Sequence, residues 1–256
     1  MKTKLIILGC GSSVGVPRID GFWGKTNKKN KRNYRTRCSA IILKGSNSIL
    51  LDTSPDLRHQ LLVNNIKNIS SVVFTHEHAD QTNGIFELRP FFWKHKKRIN
   101  IYGDSKTLKH IKKTHSYLFK KKIQYPAIVK ANIIKNEFSL GKSKEKIYFK
   151  TIRVKHGLIY TNAYIFEKTA YISDTNDLSI VNINLFKNLN YLILDCLKIQ
   201  SHPTHLNLKE SIYVHNKLNP KKTILTNLHS DLDYEYLKRV LPKNMYPAYD
   251  GLKIEL

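Results

Sequence analysis

The chain contains few cysteines, and their spacing pairs none of them. Cys10, Cys38 and Cys196 are an odd number, they lie far apart, and no CxxC pair occurs. This pattern is typical of a reducing compartment, so we predict a cytoplasmic protein. It also argues against a zinc site built from cysteine thiolates.

Long apolar runs, internal repeats and low-complexity linkers are missing as well. No apolar stretch approaches the roughly 20 residues of a membrane-spanning helix, so we predict no membrane segment. The apolar run Leu5 to Leu8 is too short for a secretory signal and leads into a glycine-rich turn, which favours a first strand. With 256 residues, of which 41% are hydrophobic, the chain can bury a full core, and we predict one domain over residues 1–256.

Acidic residues are scarce. The chain has 19 Asp and Glu against 44 Lys and Arg, which gives a formal net charge of +25. Such a charge can attract phosphate groups or nucleic acid. The lysines are spread over the whole length, however, and this favours ordinary surface solvation. A small anionic substrate is compatible with either interpretation, and nucleic acid is the second choice of partner.

The most informative stretch is Thr75 to Gln81, with the sequence THEHADQ. It follows a predicted buried strand over residues 71–75 and precedes a loop that leads into a short helix. His76, His78 and Asp80 alternate at this strand end, so the loop can aim their side chains at one point. Imidazole and carboxylate groups suit a divalent metal such as zinc. We therefore predict a metal site here.

Polar side chains also follow several other predicted strands. The strands are predicted over residues 5–8, 40–44, 48–52, 71–75, 99–102, 146–153, 162–166, 169–173, 191–194, 222–226 and 252–256. The helices are predicted over 55–64, 106–119, 208–218 and 233–241, with Ser54 and Ser105 as the caps of the first two. The polar residues at strand ends are Asp52, His76, His78, His156, Asp174, Asp195 and His229. Because the ends of strands gather their loops together in an α/β chain, we expect these residues to share one site.

Some polar residues have two interpretations. Asp52 is either a cap for the following turn or a partner of a metal-bound histidine, and Asp195 has the same two alternatives. Residues 18–37 are predicted to form a long surface loop, in which Arg35 and Arg37 are solvated rather than bound to phosphate. Two further histidines in a predicted basic helix, His110 and His115, do not share a helical face, so we expect surface positions.

The ordered set of motifs resembles the metallo-β-lactamase superfamily of metal hydrolases. The set consists of Asp52 in Leu-Asp-Thr, the His76-x-His78-x-Asp80 motif, His156, Asp174 in Ile-Ser-Asp-Thr, and His229. Together the motifs cover nearly the whole chain. The resemblance implies an α/β (α+β) fold of the four-layered αββα type, with the site at one edge between the two sheets.

Within the superfamily, the chain looks most like the phosphoribosyl cyclic-phosphate phosphodiesterase branch. The local matches are GCGSSVGVP (9–17), RTRCS (35–39), LDTSPDLR (51–58), HPTH (202–205) and TNLHSDLDY (226–234). This resemblance implies a phosphodiesterase that uses metal-activated water on a small cyclic or nucleotide-like phosphate ester, since a bound divalent metal lowers the pKa of water to about 7.

The resemblance also implies roles for individual residues. The first metal ion would be held by His76, His78 and His156, and the second by Asp80 and His229, with Asp174 bridging the two. Asp52 would orient a ligand histidine. For catalysis, Asp80 would accept a proton from the attacking water or position it, and His205 would donate a proton to the leaving group near the scissile phosphate. Arg89, in the helix after the motif, would contact phosphate or cap that helix.

Two departures from the branch affect the expected cofactors. The residue after Asp80 is usually histidine, but here it is Gln81, whose amide oxygen is a poorer ligand for zinc or manganese. We therefore expect up to two ions, zinc or manganese, with a weakened second site. The 20–35 loop has no cysteine, so we expect no structural zinc.

Two other functions are kept as alternatives. An endonuclease similar to the tRNA 3′-processing enzymes agrees with the net charge of +25. Those enzymes commonly carry a tRNA-gripping arm between the positions of His156 and Asp174, where only a short hairpin fits in this sequence. A degenerate fold that serves as a non-catalytic metal-binding module is supported by Gln81 alone. A homodimer is compatible with the sequence.

Overall fold

Two β-sheets form the centre of the computed structural model, which describes residues 1–121, 123, 125–179 and 181–256. In this part of the chain the strands are β1 (Lys4–Gly9), β2 (Ser39–Lys44), β3 (Asn47–Leu51), β4 (Ser71–Val73), β5 (Ile99–Gly103), β6 (Val129–Ile133), β7 (Glu137–Leu140), β8 (Ile147–His156), β9 (Ile159–Phe166), β10 (Thr169–Ile172), β11 (Tyr191–Asp195), β12 (Lys222–Thr226), β13 (Met245–Pro247) and β14 (Leu252–Glu255). One sheet has the order β14-β1-β2-β3-β4-β5-β6, and the other has the order β13-β12-β11-β10-β9-β8-β7.

Helices cover the outer face of each sheet. They are α1 (Leu57–Val63), α2 (Ala79–Thr82), α3 (Arg89–His95), α4 (Ser105–Thr114), α5 (Leu208–Leu218) and α6 (Tyr234–Val240). A 3₁₀ segment, Asn83–Leu88, joins α2 to α3. No helix in the ranges given above is both long enough and apolar enough to cross a membrane.

The alternation of side chains along each strand produces three separate apolar cores. In β1, Leu5 and Ile7 point into the core between the two sheets, whereas Ile6 and Leu8 pack under the helices of the first sheet. A strand has a period of two, so a strand that is apolar at every position must be covered on both faces. A third core, which includes Leu225 and Leu237, lies between the second sheet and α5 and α6. This layering confirms the predicted four-layered αββα sandwich.

Parallel pairing brings the polar strand ends to one edge of the sandwich. In the first sheet β3 pairs in parallel with β4, and in the second sheet β10, β11 and β12 are parallel neighbours. The carboxyl ends of neighbouring parallel strands lie at the same edge of a sheet. The residues at the ends of these strands and just after them therefore meet there, and Asp52, His76, Asp174, Asp195 and Asn227 are among them.

Three predicted helix boundaries were wrong, and local hydrogen bonds explain why. Ser54 does not cap α1, because its Oγ accepts from the backbone N–H of Asp56 at 2.9 Å in a turn that precedes the helix. Asp104, not Ser105, caps α4 through its Oδ1, which accepts from Thr107 N–H at 2.8 Å. This helix ends at Thr114, not near residue 119, and a 3₁₀ turn follows it. Strand β13 was missed altogether.

The prediction that Arg35 and Arg37 are solvated was also wrong. Arg35 is 1% exposed, and its guanidinium donates to the carbonyl oxygens of Leu232 at 2.7 Å and His229 at 3.3 Å. Arg37 makes a two-pronged ion pair with Asp56, at 2.7 and 2.6 Å. The end of the 18–37 loop is thus part of the packed structure. Surface positions were predicted for His110 and His115. His110, in α4, is exposed as predicted, whereas His115, which follows α4, is half-buried.

Asp250, near the carboxyl end of the chain, accepts hydrogen bonds from two segments that are distant from it in sequence. Its Oδ1 accepts from the backbone N–H of Cys10 at 3.0 Å. Its Oδ2 accepts from the N–H of Thr36 at 2.7 Å and from the hydroxyl of the same residue at 2.6 Å. The glycine-rich turn after β1 and the Arg35–Arg37 segment are therefore fixed by a single carboxylate.

Replacing this carboxylate should destabilise the fold. Asp250→Ala leaves two backbone N–H groups without their acceptor, so we expect the free energy of unfolding to fall by about 2–4 kcal/mol, measured by urea denaturation. Asp20→Ala is the control, because the contacts of Asp20, an ion pair with Arg18 and a hydrogen bond from Phe22 N–H, are exposed. Its loss should leave the midpoint nearly unchanged. Equal midpoints for the two variants would contradict the role given to Asp250.

Candidate metal centre

Three imidazole rings converge at the edge where the two sheets meet. His76 and His78 follow β4 of the first sheet, and His156 is the last residue of β8 in the second. Each offers a nitrogen within 4.8 Å of the others'. Their ring centroids are 4.5, 5.4 and 5.2 Å apart. The two sheets therefore contribute jointly to one cluster of nitrogen donors.

The hydrogen bonds around His76 fix its tautomer. Asp52 accepts from the backbone N–H of Thr75 at 2.8 Å and from the Thr75 hydroxyl at 2.9 Å. Because that hydroxyl proton is given to Asp52, Thr75 Oγ1 can only accept from Nδ1–H of His76, at 2.9 Å. The lone pair of His76 is thereby on Nε2, which is buried and has no partner among the described residues. Asp52 reaches the histidine through Thr75, not directly.

His156 is held in the same way. Its Nδ1 donates to the carbonyl oxygen of Thr204 at 2.6 Å, which leaves Nε2 as the free ligand atom. Burial lowers the pKa of His76 to about 4 and also lowers the pKa of His156. Both rings are therefore neutral near pH 7, as a metal ligand must be.

Asp174 adds a carboxylate to this cluster. It is 3% exposed, and one of its oxygens lies within 4.8 Å of ligand nitrogens of both His156 and His205. Burial by itself would raise the pKa of Asp174, but the rings of His76, His205 and His156 hold it below its usual value. Three imidazole rings beside a carboxylate form a donor set that suits zinc and similar divalent ions. With an orphaned buried nitrogen on His76, these residues fit a divalent metal.

Gln81 lies between the two carboxylates of the site. It is fully buried, and its amide nitrogen donates to Oδ2 of Asp80 at 3.2 Å and to Oδ2 of Asp174 at 3.4 Å. Its oxygen Oε1 is buried and has no partner in the described part of the chain. Burial, together with the charge of Asp174, raises the pKa of Asp80 to about 6.

The residues expected at the second metal ion are less closely grouped. Asp80 and His229 belong to neither cluster of three ligand atoms within 4.8 Å that the described residues form. His229 is partly exposed, and its Nδ1 lies 3.3 Å from Oδ1 of Asp231. The structure thus assembles the first predicted ligand set more tightly than the second.

His205 forms a buried ion pair beside the cluster. Its Nδ1 lies 2.8 Å from Oδ2 of Asp195, which is fully buried and also accepts from Thr175 N–H at 2.9 Å. Burial alone would lower the pKa of His205, but Asp195, Asp174 and Asp80 raise it to about 9. The ring centroid is 4.6 Å from that of His156. Asp195 is therefore both a turn partner and a partner of His205.

A cavity of about 260 Å³ opens beside the ion pair and the ligand cluster. Its lining residues are Ser12, Ser13, Val14, Asp80, Leu197, Lys198, His202, His205, Asn227 and His229. Arg89 is not among them, and its guanidinium carbon lies 4.5 Å from the ring centroid of Phe86.

Several residues of this site were missed from the sequence. Asn227 follows β12 directly, so the strand-end signal that identified Asp174 could have found it. Its amide donates to Asp174 Oδ1 at 3.3 Å and lies 3.2 Å from His205 Nδ1. Ser12 lies in the glycine-rich 9–17 match but was given no role, and Lys198 gave no signal, because the packing of distant segments brings both residues to the cavity.

Comparison with known proteins agrees with this geometry. The family model described as "Beta-lactamase superfamily domain" matches residues 47–227. The chain therefore belongs to the metallo-β-lactamase superfamily.

Its resemblance to the phosphoribosyl cyclic-phosphate phosphodiesterase branch is confirmed by a crystal structure of a new diphosphatase from the PhnP family. That structure is 30% identical in sequence, has a TM-score of 0.91, and the match covers 100% of this chain and 98% of that one. Human tRNase Z, short form, matches with a TM-score of 0.67 over 98% of each chain, and at 16% identity it shows the fold alone.

A curated relative, the octanoyltransferase of Porphyromonas gingivalis (strain ATCC BAA-308 / W83), is 27% identical over 254 residues. The match covers 98% of this chain but 51% of the relative, so the chain spans about half the length of that protein.

The ligand cluster predicts stabilisation by metal. Adding zinc to metal-free protein at about 1,000 times its Kd should stabilise the fold by about 4 kcal/mol, which corresponds to a rise in Tm of about 10 °C. His78→Ala should lose most of this shift, whereas His110→Ala, in which an exposed histidine of α4 is replaced, should keep it. A full shift in His78→Ala, measured by thermal denaturation, would contradict the cluster as the binding site.

Proposed function

We propose that the protein is a metal-dependent phosphodiesterase that hydrolyses a small cyclic or nucleotide-like phosphate ester. The observation that carries this proposal is the convergence of His76, His78, His156 and Asp174 at the edge between the sheets. A divalent metal bound there would withdraw charge from a phosphoryl oxygen and make water more acidic. The 30% identity to a PhnP-family diphosphatase supports a reaction at phosphorus.

Two side chains at the cavity would move protons. Asp80 borders both the ligand cluster and the cavity, and its carboxylate would accept a proton from the attacking water. His205 would donate a proton to the leaving oxygen from Nε2, since its Nδ1 is engaged by Asp195 at 2.8 Å. The buried carboxylate of Asp195 favours the protonated ring, so His205 can serve as the acid.

Asp52 and Asn227 would position these groups. Asp52 orients His76 through the hydroxyl of Thr75. The amide nitrogen of Asn227 donates to Asp174 Oδ1 at 3.3 Å and lies 3.2 Å from Nδ1 of His205, so Asn227 packs between these two groups. Partners of this kind set the direction of ligand lone pairs and are nearly as important for metal affinity as the ligands themselves.

A tRNA 3′-processing endonuclease is the second candidate, and the net charge of +25 is the observation that favours it. Between His156 and Asp174, however, the chain forms only the hairpin of β9 and β10. The cavity of about 260 Å³ is at the small end of the range for small-molecule pockets. These features favour a small substrate. Salt-sensitive cleavage of precursor tRNA would reverse the order.

A non-catalytic module and an acyl transferase are less well supported. The non-catalytic module is supported only by Gln81, and the cluster of three imidazoles and a carboxylate argues against it. The second rests on the name of a relative that is about twice as long as this chain, and the half outside the match can account for that name.

Turnover of bis(p-nitrophenyl) phosphate tests the proposed activity. We expect hydrolysis with added zinc or manganese, loss of hydrolysis with a chelator, and recovery when metal is restored. His205→Asn should lower kcat/KM by about 10²–10⁴-fold on a phosphodiester with an alkoxide leaving group, the usual effect of losing a general acid, and far less on the p-nitrophenyl ester, whose leaving group departs as a stable phenolate. His110→Asn should leave both unchanged. Failure of the wild type to turn over the substrate with any divalent metal would favour the non-catalytic module.

We also propose that fewer than two metal ions bind tightly. The amide of Gln81 donates to both carboxylates that a second ion would need, so binding that ion requires these hydrogen bonds to be broken. Imidazole, which the branch has at this position, would instead offer a lone pair.

Metal content per chain tests this point. After extensive dialysis, the wild type should retain fewer than two ions by elemental analysis, and Gln81→His should retain more. Gln81→Leu is the control, because it removes the amide without adding a ligand and should not raise the count above that of the wild type. Two tightly bound ions per chain in the wild type would contradict the proposal that Gln81 weakens the second site.

A further inference from the structure

A second cavity lies between the two sheets, at the edge opposite the metal ligands. Its volume is about 600 Å³. The beginnings of β3, β4 and β5, which are parallel neighbours, line one side of it, and the end of β7 with the turn after it lines the other. His76 and His78, in contrast, follow the carboxyl end of β4. The proposed hydrolase mechanism therefore makes no use of this cavity.

Three polar side chains interrupt the apolar inner face of the first sheet at this cavity. On β4, Ser71 precedes Val73 by two residues and faces the same way, toward the core between the sheets. Ser71 and Asn100 are register partners on β4 and β5, so their backbones are about 4.8 Å apart. Tyr102 follows Asn100 by two residues on the same face of β5. Ser71, Asn100 and Tyr102 thus form one polar row across two adjacent strands.

Contacts between the sheets border the polar row on both sides. On the β3 side, the amide of Asn47 donates to the carbonyl oxygen of Leu140 in β7 at 3.2 Å. On the β5 side, the ring of Tyr102 stacks on that of Phe138 in β7, with centroids 6.1 Å apart and planes inclined by 11°. Because both contacts join the first sheet to β7, the space over the row between them has fixed walls.

Ser71 carries an unsatisfied buried hydroxyl. The residue is 5% exposed, and its Oγ has no hydrogen-bond partner among the described residues. A buried hydroxyl without a partner costs free energy, so such a group points to a ligand that satisfies it. Beside it, Oδ1 of Asn100 accepts from the amide of Asn132 at 3.3 Å, which leaves Nδ2 of Asn100 to donate. The hydroxyls of Ser71 and Tyr102 can both donate and accept.

The lining of this cavity has no excess of charge. Its charged residues, Lys142 and Glu145, have opposite signs. The carboxylate of Glu145 accepts from the backbone N–H of Ser46 at 2.9 Å and from the Ser46 hydroxyl at 2.6 Å. A balanced lining in a chain with a net charge of +25 favours an uncharged ligand over an anion. Hydroxyl groups on such a ligand would both donate and accept, as the hydroxyls of the polar row do.

We infer that this cavity binds a neutral ring with several hydroxyl groups, a monosaccharide or a cyclitol, through Ser71, Asn100 and Tyr102. Its volume of about 600 Å³ lies within the usual range for small-molecule sites. The inference goes beyond the proposed phosphodiesterase activity and does not depend on it, because the two sites lie at opposite edges of the first sheet.

NMR titration of isotope-labelled protein with myo-inositol and with D-glucose tests the site. We expect at least one of them to bind with a Kd of about 1 mM or lower. The amide shifts should change in residues 70–71, 100–102 and 139–142 and not in 76–81. Cyclohexanol, which has a six-membered ring with one hydroxyl, should bind at least about tenfold more weakly, because it lacks most of the hydrogen bonds. Absence of binding by both probes at about 10 mM, or equal binding of cyclohexanol, would overturn the inference.

Two conservative variants test the polar row. Ser71→Ala and Tyr102→Phe should each raise the Kd by about 3–10-fold, the usual effect of losing one hydrogen bond. Neither should unfold the protein, because the Ser71 hydroxyl has no partner and Tyr102→Phe keeps the stacked ring. Tyr246→Phe is the control, since this exposed tyrosine lies in β13, at the far edge of the second sheet. An unchanged Kd in both row variants, or an equal rise in Tyr246→Phe, would refute the site.

Metal and phosphate distinguish this cavity from the metal centre. A chelator, or the variant His78→Ala, should leave the Kd of the bound probe unchanged, and loss of binding would place the probe at the metal centre instead. Inorganic phosphate at about 10 mM should not displace the probe from metal-free protein, and displacement would refute a neutral ligand. Binding of the probe by a protein that hydrolyses no phosphodiester would refute the proposed activity and support the cavity site.

Discussion

The hydrogen bonds that Asp52 accepts from Thr75 are the constraint on which the site depends. They occupy the only donor of the Thr75 side chain, and this forces His76 to present an unprotonated Nε2 to the cluster. The same bonds tie the end of β3 to the end of β4. Burial raises the pKa of Asp52 well above its usual value, although the Thr75 bonds oppose the shift. Fold and ligand geometry are therefore determined by one group of polar contacts.

The seam between the sheets positions this group against the second sheet. Asn162 of β9 donates from its backbone N–H and its amide to Thr75 O, at 2.9 and 3.0 Å. The hydroxyl of Tyr164 donates to Phe74 O at 2.6 Å. Because these bonds join β9 to the residues that follow β4, the histidines of the two sheets are kept in register. A shift of one sheet against the other would break buried hydrogen bonds as well as the ligand cluster.

Much of the fold and part of the site could be predicted from the sequence because the signals were local. His76 and Asp174 each follow an apolar strand, His156 ends a strand that alternates apolar and polar residues, and Asn207 caps α5 as its position before the helix predicts. The features that were missed depend on long-range contacts. Arg35 is buried because carbonyl oxygens nearly 200 residues away accept its protons. The partner of Gln81 in the second sheet, Asp174, is 93 residues distant. No local pattern encodes such pairs.

The amide of Gln81 has a genetic consequence. Glutamine and histidine codons differ only at the third base, so position 81 is a single nucleotide change away from an imidazole ring. A lineage can thus exchange a neutral hydrogen-bond donor between Asp80 and Asp174 for a ring with a lone pair, or make the reverse exchange, without an intermediate side chain. Because the site is formed by strand ends that the rest of the sandwich holds in place, this exchange can alter the charge balance of the site while the fold is conserved.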